Sequence, residues 1–171
     1  MTRIRRLPYE EARRRVSELA AVLVDCVAGG ASVSFMAGYS QAEAEGFFSR
    51  VAEGVGAGGR VLFAAFVDGK LVGTAQLVTD APPNQQHRAD IAKMLVYRAA
   101  RGLGLGKALL AACEAEAKAQ GKTLLTLDTM TDGAAEKMYS AAGYVKAGII
   151  PDYAQFPDGS FGPTTFFYKV I

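Results

Sequence analysis

The sequence predicts a mixed α/β fold: an antiparallel hairpin, then one β-α-β crossover, then closing antiparallel strands, seven strands in all. Three observations carry this. Asp68-Gly69 sits between two β-rich runs, a strong hairpin signal. A strand-like run meets the stretch Arg101-Gly102-Leu103-Gly104-Leu105-Gly106, and a long helical pattern follows. The last third returns to β-rich segments around Pro157-Asp158-Gly159 and Gly162-Pro163. No repeat, low-complexity tract or linker interrupts the 171 residues, so one domain over 1–171 is expected.

The elements follow in order. Residues 2–7 alternate weakly and read as a first strand. Residues 8–28 place Ala12, Val16, Leu19 and Leu23 at helical spacing, with Pro8 suited to the first turn and Gly29-Gly30 to the end. Ser40-Gln41-Ala42-Glu43 is a capping box opening a second helix to about residue 53. Strands are expected at 61–67 and 71–79, a loop at 81–86, and a strand at 88–97. A helix over 104–119 is stopped by Gly121, and a short buried strand spans 123–127. A helix over 132–142 ends at Gly143, and strands at 144–150 and 164–170 close the chain.

Composition narrows the function classes. A net charge of +2 is too small to argue for nucleic acid or an anionic membrane as partner. The cluster Arg3, Arg5, Arg6, Arg13, Arg14 and Arg15 is interrupted by Glu10, Glu11 and Glu18, which reads as a solvated helix face. No apolar run approaches the roughly 18 residues of a membrane span, and a cytoplasmic protein is expected. Cys26 and Cys113 lack metal-ligand spacing and His87 is the single histidine, so no metal site and no Ser-His-Asp triad is expected.

A glycine loop between strand and helix turns backbone N–H groups and the positive helix end toward an anion. A P-loop anchored on Gly106-Lys107 fails at Arg101 and Ala108. A dinucleotide fingerprint begun at Gly102 meets Lys107 where glycine is required, and begun at Gly104 it fails again. What fits is Arg-x-x-Gly-x-Gly at Arg101, Gly104 and Gly106. This resembles the signature of the GNAT acetyltransferases, as does the preceding strand, with Met94 and Val96 at the family's apolar positions. The family's Asn-x-x-Ala-x-x-x-Tyr-x-x-x-Gly-Phe helix is similar to Asp132, Ala135, Tyr139, Gly143 and Tyr144. The resemblance implies a GNAT fold whose β-α-β core binds acetyl-CoA. It places Met94, Leu95 and Val96 along the pantetheine arm on a strand splayed from its neighbour. Arg101, Gly102, Leu103, Gly104, Leu105, Gly106 and Lys107 would hold the pyrophosphate, with Asp132 nearby keeping a helix-capping role.

Further segments resemble the tabtoxin-resistance branch of that family, which acetylates a small amino-acid-like toxin. They include Gly29 to Val33, Arg88-Ala89-Asp90, Leu127-Asp128-Thr129 and the tail from Pro151 to Lys169. This implies a small-molecule amine as acceptor, a toxin or antibiotic among the candidates, and allows a homodimer. A protein or peptide acetyltransferase and a non-catalytic acyl-CoA-binding sensor remain the alternatives. Free amines have a pKa near 10, so roughly one in a thousand is neutral at pH 7 and a proton acceptor is needed. Asp90, early in its strand, and Asp128, at the end of the next, match that branch's carboxylates. Asp128 has a rival role as a helix cap, whereas a carboxylate buried in an apolar strand is costly to explain structurally. Tyr139 matches the tyrosine that meets the departing thiolate, with a core tyrosine as its rival reading. Direct attack is expected, since Cys113 lies mid-helix with no histidine beside it.

Overall fold

In the computed structural model, which describes residues 1–171, the chain runs β1 (Thr2–Leu7), α1 (Tyr9–Arg14), α2 (Val16–Ala28), α3 (Gln41–Gly56), β2 (Arg60–Val67) and β3 (Lys70–Val78). It continues through β4 (Arg88–Val96), α4 (Leu105–Ala119), β5 (Leu124–Met130), α5 (Ala134–Ala141), β6 (Val145–Gln155) and β7 (Phe161–Val170). The strands form one sheet in the order β1-β2-β3-β4-β5-β7-β6, and only the β4–β5 pair is parallel. The mixed, mostly antiparallel seven-stranded fold expected from the sequence is therefore present.

Strand β2 shows how the sheet is buried on both sides. Its side chains alternate between two cores, as a period of two requires. Leu62, Ala64 and Phe66 pack with Leu19, Leu23 and Phe48 of α2 and α3. Val61, Phe63 and Ala65 share a second core with Leu109, Leu110 and Cys113 of α4. Each large apolar side chain so buried contributes about 1.5–3 kcal/mol.

Local signals set the turns. Asp68 (φ 48°) and Gly69 (φ 81°) both adopt the left-handed conformation a type I′ hairpin needs. Ser40 and Glu43 form the capping box of α3 in both directions. The helix expected over 8–28 is two helices, broken at Arg15, whose backbone (φ −102°, ψ 12°) leaves the helical region. Apolar spacing could not reveal this, because Ala12 and Leu19 stay buried on either side of a one-residue break. No helix is long and apolar enough to cross a membrane.

Three irregularities position the site. Strands β4 and β5 pair only through Arg88↔Leu124, Ala89↔Leu125 and Asp90↔Thr126, and then diverge. Within β4 the register against β3 shifts, so that Lys93 and Met94 lie between the pairs Ala92↔Gln76 and Leu95↔Thr74. This is a bulge, with Lys93 at a left-handed φ of 49°. In β6 a second shift falls between Ile150 and Ala154, taking up Pro151 without a ladder hydrogen bond. Strands β6 and β7 consequently run longer than the 144–150 and 164–170 expected from sequence.

Candidate active site

The divergence of β4 from β5 opens a cleft of about 850 Å³, within the usual range for small-molecule sites. Its walls are Ile91 to Val96 on one side and Asp128 to Met130 on the other. Past Asp90, the β5-facing edge of β4 has no strand partner, and an extended ligand can use such an edge.

At the end of β4 a short 3-10 turn (Arg98–Ala100) leads into the glycine loop. Gly104, at φ 74° and ψ 7°, is the N-terminal cap of α4, a conformation that costs any residue with a Cβ. The backbone amides of Gly102, Leu103, Gly104, Leu105, Gly106 and Lys107 donate to no acceptor within the chain. Six free amides beside a helix N-terminus form an anion cradle. The cradle is braced from α2: Asp25 accepts from the Arg98 backbone N–H (2.8 Å) and from its Nε (3.0 Å). That contact holds the Asp25 carboxyl below the usual range, overcoming the opposing effect of burial.

Asp128 and Tyr139 both face the cleft. Asp128 belongs to β5 itself, which runs three residues beyond the expected end at Leu127. Its carboxylate accepts no hydrogen bond and makes no ion pair within the chain, so it caps no helix. Burial against the cleft wall raises its pKa, although solvent reaches it through the mouth. Lys93 opposes that rise and Asp90 adds to it. Tyr139 is 5% exposed, and burial pushes its phenol up to about 12. Its hydroxyl contacts only the Met94 sulfur, at 3.9 Å, a weak partner that leaves the O–H free for a ligand.

Three expected residues lie elsewhere. Asp90 does not line the cleft. It sits at the last β4–β5 pair, with 46% of its side chain exposed, bonded to Arg88 Nη1 at 2.6 Å and to the Thr126 hydroxyl. The expectation rested on a buried, unpaired carboxylate, and this one is neither. Leu103 points outward at 57% exposure, so only its backbone amide joins the cradle. Asp132 caps nothing: Gly133 is the N-terminal cap of α5, with no side-chain bond. Instead the Asp132 N–H donates to Glu136, whose carboxylate also takes Lys146 at 2.6 Å and Thr165 at 3.2 Å. Among the others, Met94, Leu95, Val96, Arg101, Gly102, Gly104, Leu105, Gly106 and Lys107 all line the cleft.

One cleft residue escaped the sequence reading. Lys93 projects from the β4 bulge and donates to Ser34 Oγ at 3.0 Å. It lies 5.7 Å from the Phe35 ring centroid. Burial lowers its pKa, against the pull of Asp128. The available signal was a lysine inside the apolar run Ile91-Ala92-Lys93-Met94-Leu95.

A model of the acetyltransferase (GNAT) family matches residues 31–144, well over half of the chain. The chain belongs to the GNAT acetyltransferase family. The donor in this family is acetyl-CoA. A curated relative, an N-acetyltransferase of Azospirillum brasilense encoded in the hisH-hisA intergenic region, is 42% identical over 71 residues. That match spans 40% of this chain and 42% of the relative's length. Among solved structures, an N-acetyltransferase from Staphylococcus aureus Mu50 superposes with a TM-score of 0.82 at 20% identity, covering 99% of this chain and 98% of that one. The acetyltransferase yncA of Salmonella typhimurium, solved with its cofactor acetyl-CoA, gives 0.81 at 16% identity, covering 99% and 94%.

Proposed function

We propose that this GNAT-family chain is an acetyl-CoA-dependent N-acetyltransferase that acetylates the amine of a small molecule by direct attack. The single observation that carries this is the cleft itself, in which six free amides, an unpaired strand edge, Asp128 and Tyr139 meet. The residues fit the cofactor. The amides of 102–107 suit a pyrophosphate, with Arg101 and Lys107 adding positive charge. The open edge of β4 at Met94, Leu95 and Val96 suits the amides of a pantetheine arm.

When bound, acetyl-CoA supplies the activated acetyl thioester, whose C–S bond breaks as the amine nitrogen bonds to the carbonyl carbon. Asp128 takes the ammonium proton, directly or through a water, so that a neutral nitrogen can attack; its freedom from other partners suits that task. Tyr139 keeps its proton throughout the physiological range and donates a hydrogen bond to the sulfur as negative charge develops there. Asp90, held by Arg88, contributes negative field at the cleft's edge, not direct proton transfer.

The finer reading, an amine-bearing toxin or antibiotic acetylated in the cytoplasm, rests on the tabtoxin-resistance resemblance in 29–37, 88–90, 127–129 and 151–169. An acetyl-CoA-dependent thiol-release screen over small amines, with peptide N-termini in parallel, tests it. Turnover of small amines is expected. Turnover confined to peptides would replace the small-molecule reading, and no turnover beside tight acetyl-CoA binding would favour a sensor.

A further inference from the structure

The acceptor side of the cleft holds two opposite charges with no partner of their own. The Lys93 ammonium is half-buried, donates only to a serine hydroxyl and has no carboxylate within ion-pair distance. A cation drawn partly out of water onto the face of Phe35 loses hydration that one neutral hydroxyl does not restore. Its backbone sits in a left-handed conformation that a β-carbon disfavours, and strain of this kind concentrates at ligand sites. Asp128 answers it from β5, close enough for each to influence the other's ionisation, yet no salt bridge closes between them. Arg60 also acts on Lys93 but does not line the cleft and is bonded to Gln76 Oε1 at 2.5 Å, and Asp90, likewise outside the lining, is held by Arg88. Lys93 and Asp128 are thus the two charges without an ion-pair partner that line this side of the cleft. Tyr153, Thr164 and Ser32 complete the lining around them.

A gap flanked by a free ammonium and a free carboxylate matches a molecule carrying both charges in reverse. We propose that Lys93 is a specificity-determining residue that binds a carboxylate, or another small anionic group, on the same molecule whose amine is acetylated. The acceptors are then zwitterionic amino acids rather than simple amines or polyamines. This rests on the acetyltransferase reading of the cleft. In this arrangement Asp128 draws the amine end and Lys93 the anionic end, so the two charges set the acceptor's orientation. A polyamine meets an unsatisfied cation at Lys93 and is disfavoured.

The test is a panel of L-amino acids, each set beside its carboxamide and its decarboxylated amine, against wild type, Lys93→Met and Lys93→Arg. Acetyl-CoA-dependent thiol release gives kcat and KM, and calorimetry of the same compounds without acetyl-CoA gives binding. Thermal unfolding confirms that each variant is folded. Wild type is expected to prefer the acid over its amide by about 10- to 100-fold in KM and Kd, the range for a charge-assisted hydrogen bond. Lys93→Met should erase that preference by raising KM and Kd for the acid while leaving Kd for the amide in place, and Lys93→Arg should restore part of it. Wild type that turns over amides or amines as well as acids overturns the proposal and leaves the acetyltransferase reading standing. So does a Lys93→Met protein in which acid and amide weaken equally in KM and Kd. No thiol release with any acceptor overturns that reading, and this proposal with it.

Discussion

Removing the Tyr139 hydroxyl separates the proposed chemistry from packing, because the ring and the hydroxyl have different neighbours. The ring is fixed by Tyr144 (centroids 5.9 Å apart) and Phe167 (6.1 Å). The hydroxyl touches only the Met94 sulfur at 3.9 Å. Tyr139→Phe keeps the ring and deletes one weak hydrogen bond, so stability should change by less than about 1 kcal/mol. The catalytic loss is larger. A hydrogen bond to a sulfur gaining full negative charge is worth about 1.5–3 kcal/mol, so kcat should fall roughly 10- to 150-fold. KM for the acceptor should hold, since the interaction matters only as charge develops. Thiol-release kinetics at saturating acetyl-CoA, beside urea unfolding of both proteins, checks this. A variant with kcat within twofold of wild type and unchanged stability would mean that Tyr139 is a core residue only. With its phenol at about 12, wild type should also show no tyrosine-linked loss of rate below pH 10.

Asp128→Asn should lower kcat/KM by about 10²- to 10⁴-fold, the contribution of a positioned base, without unfolding the protein; a loss under threefold rules the base role out. Asp128 must be deprotonated to act, so the rate rises with pH through its raised pKa. Lys93→Met removes the cation opposing that rise, and the acid limb of kcat should then move to higher pH; a stationary limb refutes the coupling. Gly104→Ala meets no atom within 4 Å, so its cost is purely the left-handed backbone. That is about 1 kcal/mol, or roughly 2–4 °C in Tm for a chain of this size, with weaker acetyl-CoA binding measured by calorimetry. Cys113, fully buried, has its thiol pushed up to about 12, so the folded state keeps a proton that the unfolded chain releases above pH 9. Stability should fall by about 1.4 kcal/mol per pH unit between 9 and 11. In Cys113→Ala, urea midpoints over that range should flatten; an unchanged slope would assign the alkaline loss to other groups.

Much of the architecture was legible because its signals are local. Asp68-Gly69, the Ser40–Glu43 box and the glycines of 102–106 each act through their own backbone, and each lies where the sequence put it. The glycine-loop side of the cleft was legible for the same reason. The acceptor side depends on register, which sequence does not display. A bulge brings Lys93 into the cleft, and three added residues at the end of β5 carry Asp128 along its wall. Asp90 misled because its burial was inferred from apolar neighbours, whereas its strand position lies at the last β4–β5 pair, where the fork begins, beside Arg88. Asp132 stands one place before the cap Gly133, and its own N–H is taken by Glu136, four residues on, a bond that no capping pattern reports. The break at Arg15 and the longer β6 and β7 preserve apolar periodicity or absorb proline in a bulge, so no composition rule reports them.

Only three ladder pairs join strands β1–β4 to strands β5–β7, and beyond Asp90 the two halves are bridged from beneath by the core under α4. A ligand laid along the open edge of β4 therefore acts as mortar as well as reagent, adding the missing course between two walls. Loading and unloading it should change how firmly the halves are bonded. Amide hydrogen exchange along Ile91 to Val96 and Leu127 to Met130 would slow together when acetyl-CoA is present. Each turnover, which exchanges the thioester for a free thiol, would then keep most of that masonry in place while the acceptor side empties.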